Sequence, residues 1–285
     1  METSFAMQTL MEVLQKTRAF FESKGIDNAR LEAELLFAHV LKCPRLDLYL
    51  QFERPLDDST LEQLRGLVKR RSNREPLQYV LGEAPFREFM VKVDSRVLIP
   101  RPETELLVDH IIAQVEGSPK RILDLGTGSG VLALALAREY PQSEVVAVDK
   151  SQDALVLARE NAELCGVAER VLFIESDWLS SVSGTYDLIV SNPPYLTLDE
   201  WENAQAEVKV FEPRSALTAE KEGLADLESI LNEAPACLEK NGVVALETGI
   251  AQHESLEAIS KKVGYTRALS LQDDTERDRF FFAWI

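Results

Sequence analysis

The sequence predicts an α/β protein: a doubly wound, mostly parallel sheet of Rossmann-like type, preceded by a small N-terminal helical bundle and a linking β-hairpin. Three observations carry that expectation. From residue 121 onward, short β-branched runs alternate with helical stretches, the pattern of parallel strands joined by crossovers. Within it, Ile122–Gly130 (ILDLGTGSG) reads as a strand, a glycine loop and a helix start. Residues 1 to about 75 carry helical periodicity alone. The expected domains are therefore 1–75 (helical), 76–97 (hairpin linker) and 98–285 (sheet domain).

The helical part opens with residues 5–24, where Leu10, Val13, Leu14, Thr17 and Phe21 form one stripe and Gly25 supplies a left-handed stop. A second helix is expected to use Asp27 as N-cap, with Ile26 and Leu31 at the two staple positions, and to stop at Cys43-Pro44. Asp58 or Ser59 caps a third, lined by Leu61, Leu64 and Val68. Its basic end (Lys69, Arg70, Arg71, Arg74) reads as a solvated helix terminus in preference to a partner-binding patch.

After Pro76, Leu77–Leu81 and Phe86–Val93 alternate like two strands around a Gly82–Pro85 turn. Leu98–Glu105 (LIPRPETE) then leads into an apolar helix through Leu107, Ile111 and Val115. Its bland reading is a linker; its functional reading is a loop delivering Arg101 and Glu103 to a site. Expected strands are 121–125, 144–148, 171–175, 186–190, 242–247, 265–271 and 279–285. Expected helices are 131–138, 151–164 (closing at Gly166), 224–238 (bent or ended by Pro235) and 254–263. Residues 196–228, with nine acidic and three basic side chains and weak periodicity, read as a mobile cover over the strand ends.

Composition narrows the function classes. The formal net charge is −17, and residues 91–285 carry −16 of it. Such a surface repels phosphate backbones, offers no counterion-release gain, and suits a basic partner; solubility is its bland meaning. The three cysteines (Cys43, Cys165, Cys237) and three histidines (His39, His110, His253) are scattered, with no metal-ligand spacing. The cysteines read as reduced thiols in a cytoplasmic protein without a metal. The acidic Glu2 in an amphipathic N-terminus argues against a signal peptide, and no run suits a membrane span.

The chemistry concentrates at strand tips. Ser191-Asn192-Pro193-Pro194-Tyr195 follows the apolar run 186–190. Two prolines remove two N–H donors and hold the chain extended, so the corner presents mainly acceptors: the Asn192 side-chain carbonyl and the carbonyls of Asn192 and Pro193. With the aromatic face of Tyr195 alongside, it suits a planar –NH2 group. A plain turn is the bland alternative. Gly126-Thr127-Gly128-Ser129-Gly130 lets a ligand approach the backbone, yet Val131 stands where the dinucleotide fingerprint has its third glycine. That departure disfavours a pyrophosphate, and with it a dehydrogenase, and favours a nucleoside with an amino-acid tail. Asp149 ends the next strand, where a carboxylate accepts from ribose hydroxyls; Asp177 ends the third, beside Trp178, where it can accept from an adenine amino group. Single strand-end aspartates are often helix caps, but four successive tips ending in Gly126–Gly130, Asp149, Asp177 and Asn192 form one wall.

These motifs resemble the class I S-adenosylmethionine-dependent methyltransferases with an Asn-Pro-Pro-Tyr signature. With LIPRPETE, Ser176-Asp177-Trp178, Phe211-Glu212-Pro213 and the helical N-terminal part, the chain is similar to the HemK/PrmC-type release factor glutamine methyltransferases over nearly its whole length. The resemblance implies that Gly126–Gly130 hold the methionine part of S-adenosylmethionine, Asp149 its ribose, and Asp177 with Trp178 its adenine. It further implies that Asn192, Pro193, Pro194 and Tyr195 hold the glutamine of the Gly-Gly-Gln loop of class 1 peptide chain release factors, that S-adenosylhomocysteine is the product, and that the helical part recognises substrate. Stable nucleic-acid binding, a membrane and an oligomer are not expected. The alternatives are an adenine or cytosine amino-methyltransferase, which the −16 charge disfavours, and a non-catalytic cofactor-binding scaffold.

Overall fold

The computed structural model describes residues 8–285, so residues 5–7 of the expected first helix and the reading of Glu2 lie outside the described residues. The chain divides into two compact units, one ending at Gly82 and the other beginning at Glu83.

In the first unit, α1 spans Leu10–Ser23, closed at its start by a capping box in which the Thr9 hydroxyl accepts from Glu12 N and the Glu12 carboxylate accepts from Thr9 N. Leu10, Leu14, Thr17 and Phe21 are buried, and Gly25 takes φ 69°. Helix α2 spans Ala29–Leu41 with Asn28 at its N-cap, not Asp27. The two staple positions consequently fall on Asp27 and Glu32; Leu31 is left 43% exposed, while Ala29, Ala33, Leu36 and Phe37 face the core. Helix α3 spans Asp58–Ser72 and is capped by Asp57, whose carboxylate accepts from Thr60 N at 2.7 Å, one residue ahead of the expected caps.

The basic end of α3 is a correction. Lys69 and Arg70 are exposed as expected, but the three arginines are also tied into their own unit, and Arg71 is buried. Arg71 is buried against Glu32, Arg70 grips Glu75 and the carbonyls of Tyr79 and Val80, and Arg74 donates to Gly25 O at 2.9 Å. The acceptors come from elements far apart in the chain, which a local charge pattern cannot show. Arg71→Ala would strand the Glu32 carboxylate in a low-dielectric site, and we expect it to cost about 3 kcal/mol in urea unfolding. An unchanged midpoint would mean that solvent already compensates Glu32.

Leu77–Leu81 is a helical turn, α4, and not the expected strand. A run of five residues cannot set a period by itself. Pro76 ahead and Gly82 at φ 77° behind supply a helix start and a left-handed stop. The hairpin exists one step later: β1 is Glu83–Phe86, β2 is Phe89–Lys92, and the reversal falls at Arg87-Glu88 (Arg87 φ 50°), so Gly82–Pro85 is not the turn.

The second unit continues with α5 (Pro102–Gln114), β3 (Arg121–Leu125), α6 (Val131–Glu139), β4 (Glu144–Asp149), α7 (Gln152–Leu164), β5 (Val171–Glu175) and β6 (Tyr186–Ser191). It closes with β7 (Leu238–Glu247), helix His253–Val263, β8 (Arg267–Gln272) and β9 (Asp278–Trp284). Pro235 ends helix Ala225–Glu233 in a short 3-10 turn, and β7 starts four residues before the expected Gly242. The segment 196–228 folds as short helices, Leu198–Glu202 and Ala206–Phe211, followed by tight turns.

The seven strands run in the order β5-β4-β3-β6-β7-β9-β8; the first five are parallel, β9 runs antiparallel between β7 and β8, and β8 points the same way as the first five. β3 begins the order and β6 continues it on the opposite side from β4. The crevice beyond the ends of β3 and β6 is therefore the topological switch point, where open α/β sheets bind ligands. Register aligns the tips: Leu125 pairs with both Val148 and Ser191, and Ser191 with Leu246. Gly126, Asp149, Asn192 and Glu247 thus leave the sheet side by side. Below them the core is set by Leu123, Ile189, Val244 and Phe281.

Candidate active site

The glycine loop is a turn that only small residues can make. Gly126 has φ 68°, and a Cβ there would stand 3.2 Å from the Trp178 ring. Gly128 (φ 53°) and Gly130 (φ 89°) also take left-handed conformations, Gly130 as the N-cap of α6. The loop is braced from three sides. Thr127 N donates to Val148 O at 2.9 Å, Gly128 N donates to Asp149 Oδ2 at 2.9 Å, and Asn161 Nδ2 donates to Ser129 O at 2.9 Å. Asp149 uses its other oxygen to accept from Ser151 N at 2.9 Å.

Beneath the loop, fully buried Asp124 accepts from the Thr127 hydroxyl at 2.6 Å and from Ala133 N at 3.1 Å; its Oδ1 has no partner. Burial, opposed by those two bonds, pushes its carboxyl up to about 7. The folded chain therefore keeps a proton that the unfolded chain releases near pH 4. Stability supplied by this group is whole below that pH and is lost as pH rises toward 7. Relative to Asp124→Asn, the wild type should lose on the order of 4 kcal/mol across that window. Paired unfolding curves at the two ends test it; a constant difference would mean that Asp124 is charged throughout.

A cavity of about 320 Å³ opens over the strand tips. Its wall holds Gly126–Ser129, Asp149, Asp177, Trp178, Asn192, Pro194 and Arg101. The Asp177 carboxylate is exposed and accepts no hydrogen bond from the described residues. Trp178, at φ 48°, donates its indole N–H to Asp226 Oδ1 at 3.2 Å. A glycine-rich loop, two carboxylates at successive strand tips and an indole suit a nucleoside with an amino-acid tail. Gly130, Pro193, Tyr195 and Glu103 are not on this wall. Arg101 reaches it already paired: it donates to Glu212 Oε1 at 2.6 Å, and buried Glu212 also accepts from Ile99 N at 3.2 Å. LIPRPETE and Phe211-Glu212-Pro213 are thereby one strut.

At the β6 tip, Asn192 donates its Nδ2 to Thr104 Oγ1 at 3.0 Å; Thr104 donates to Glu247 Oε2 at 2.7 Å, and the Tyr195 hydroxyl donates to Glu247 Oε1 at 2.9 Å. Thr104 and Glu247 are buried. Burial, then the Glu247 carboxylate, hold the Tyr195 phenol well above its usual range, so it remains a donor. The Asn192 carbonyl oxygen is left without a partner among the described residues, and so is the Pro193 carbonyl, which accepts no backbone hydrogen bond. Tyr195 O is held by Gln252 Nε2 at 3.0 Å, and Arg279 lies 5.7 Å over the Tyr195 ring. Sequence reasoning missed Thr104 and Glu247. Glu247 carried a usable signal, an acid ending a strand as Asp149 does; Thr104 carried none beyond its place inside LIPRPETE.

Among the described residues no His, Cys, Asp and Glu group could hold a metal ion, and no helix is long and apolar enough to cross a membrane. Comparison with known proteins gives two family matches: the PrmC N-terminal domain over residues 12–82 and the methyltransferase small domain over residues 102–220. A release factor glutamine methyltransferase of Chlorobaculum tepidum is 46% identical, covering 84% of this chain and 85% of the relative. One of Geobacter sulfurreducens is 39% identical, covering 95% of both. Among solved structures, a methyltransferase from Pyrococcus furiosus matches with TM-score 0.51 at 20% identity, over 68% of this chain and 87% of that one. That last likeness supports the sheet and its strand order alone.

Proposed function

The chain belongs to the release factor glutamine methyltransferases, and from that membership we infer that it methylates the side-chain amide nitrogen (N5) of the glutamine in the Gly-Gly-Gln motif of class 1 peptide chain release factors. The observation that carries the chemistry is Asn192: its amide N–H is tied back to Thr104 and its carbonyl oxygen is left open on the wall of the strand-tip cavity. When bound, S-adenosylmethionine supplies a sulfonium methyl group and leaves as S-adenosylhomocysteine. The donor set fits it: Gly126–Ser129 would hold the amino-acid tail, Asp149 the ribose, and Asp177 with Trp178 the adenine.

An amide nitrogen is a poor nucleophile because its lone pair is delocalised. The carbonyls of Asn192 and Pro193 would grip its two hydrogens, raise its electron density and aim its out-of-plane orbital at the methyl. Orientation supplies most of the rate gain. No strong base is required, because the nitrogen sheds its proton to solvent once alkylated. Tyr195, with its hydroxyl committed to Glu247, contributes through its ring and by fixing the corner.

The reading takes the release factor as the macromolecular partner, in the cytoplasm, with the enzyme a monomer that needs no metal and binds nucleic acid only weakly. The −16 carried by residues 91–285 supports the last point. Incubating a purified release factor with the enzyme and methyl donor should add one methylene mass to the loop glutamine in tandem mass spectrometry. Modification of a nucleic acid with none of the release factor would overturn the reading.

A further inference from the structure

We propose that Thr104 and Glu247 are positioning residues that fix which way the Asn192 carboxamide faces, and so decide that the site presents an acceptor to its substrate. This deepens the glutamine-methylating reading and rests on it. The argument is one of counting hydrogens. A carboxylate only accepts, a hydroxyl has one hydrogen to give, and a carboxamide donates at one end and accepts at the other. Both Glu247 oxygens face hydroxyls, Thr104 at 2.7 Å and Tyr195 at 2.9 Å. Thr104 gives its only hydrogen to Glu247, so toward Asn192 it can only accept. Asn192 must therefore turn its N–H2 to Thr104, at 3.0 Å, and its carbonyl the other way. From Asn192 through Thr104 every hydrogen points toward Glu247.

The register explains why these residues meet. Ser191 pairs with Leu246, which sets Glu247 beside Asn192, and Thr104 comes from the first turn of α5. The relay depends on a charged Glu247. Burial, helped by neighbouring Glu103, holds the Glu247 carboxyl above its usual range against the two hydroxyl donors and the Arg279 guanidinium, so the relay operates where the pH leaves this carboxylate ionised. A neutral carboxamide at position 247 removes the directionality. It can offer N–H to Thr104, which then donates to Asn192, and Asn192 turns its own N–H2 toward the substrate amide. Donor would then meet donor.

The test uses the full-length enzyme with a release factor and S-adenosylmethionine, reading kcat, KM and cofactor affinity separately. Thr104→Val keeps the shape and removes the acceptor: kcat should fall roughly 10- to 100-fold while cofactor affinity holds. Thr104→Ser, which keeps the hydroxyl, should restore kcat to within about twofold. Glu247→Gln should fall below Thr104→Val in kcat. In an Asn192→Ala background, Thr104→Val should cost nothing further, because its effect passes through Asn192. The side-chain amide resonances of Asn192 give a readout without turnover, and Thr104→Val should shift them. The proposal is overturned if Thr104→Val retains wild-type kcat, if its penalty is as large without Asn192, or if the Asn192 resonances stay put. A wild-type enzyme that leaves the release factor unmodified would instead overturn the functional reading, with the resonance experiment still deciding the relay.

Discussion

Asn192→Ala is expected to lower kcat for methyl transfer by two to three orders of magnitude, roughly the loss seen when one preorganised polar group is removed from a reacting centre. Cofactor affinity should change far less, because the glycine loop, Asp149 and Asp177 stand on other strand tips. The loss follows from what the alanine removes. Pro193 can offer one carbonyl, but a –NH2 group held by one acceptor still rotates about that bond, and its lone pair sweeps away from the line of attack. The variant should fold, since Asn192 is only partly buried and, among the described residues, its side chain is tied to Thr104 alone. Single-turnover methyl transfer beside a cofactor titration separates the outcomes. Equal loss in both would show that Asn192 mainly builds the fold.

Gly223→Ala should be the most damaging small change in the second unit. Lys221, Glu222 and Gly223 are three successive left-handed residues, at φ 52°, 58° and 81°. A Cβ at 223 would stand 2.1 Å from Tyr195 O and 2.6 Å from Gln252 Nε2. The first of these is backbone and cannot swing aside. Either the turn unwinds or the Asn-Pro-Pro-Tyr corner moves, and with it the Gln252–Tyr195 and Tyr195–Glu247 bonds. We expect a cost of about 3 kcal/mol in stability, from left-handed strain combined with overpacking, and at least a tenfold loss of turnover. Wild-type unfolding and activity in Gly223→Ala would show that the corner tolerates displacement. Gly223 had no motif to mark it in the sequence; only the approach of Tyr195 makes it matter.

That contrast describes what was legible. The sheet was, because long alternation of β-branched runs and amphipathic helices reports a parallel architecture through many residues at once; the strands at 121–125 and 171–175 fall where the pattern puts them. Short elements were not. Leu77–Leu81 is too brief for a period, and its helical state was settled by Pro76 and Gly82 outside it. The caps Asn28 and Asp57 each miss the expected residue by one, because adjacent polar residues compete and the winner is set by which apolar face the helix must bury.

At the site, glycines, prolines and strand-end aspartates could be read individually, since each acts through its own backbone or carboxylate. Pairings across the fold could not. Arg101 looks free in LIPRPETE until Glu212, 111 residues later, closes on it. Arg71 looks solvated until Glu32 meets it. The direction of Asn192 is likewise invisible until Thr104 and Glu247 are placed around it.

The central claim is that a methyl donor and a substrate carboxamide meet at the Asn192 corner, with the amide hydrogens facing acceptors. A crystal structure of the enzyme with sinefungin and a Gly-Gly-Gln peptide tests it most directly. The account predicts the ligand's nucleoside between Asp149 and Asp177, and the glutamine nitrogen within hydrogen-bond reach of both Asn192 Oδ1 and Pro193 O. A ligand seated away from the β3 and β6 tips, or a glutamine carbonyl facing Asn192 Nδ2, would contradict it.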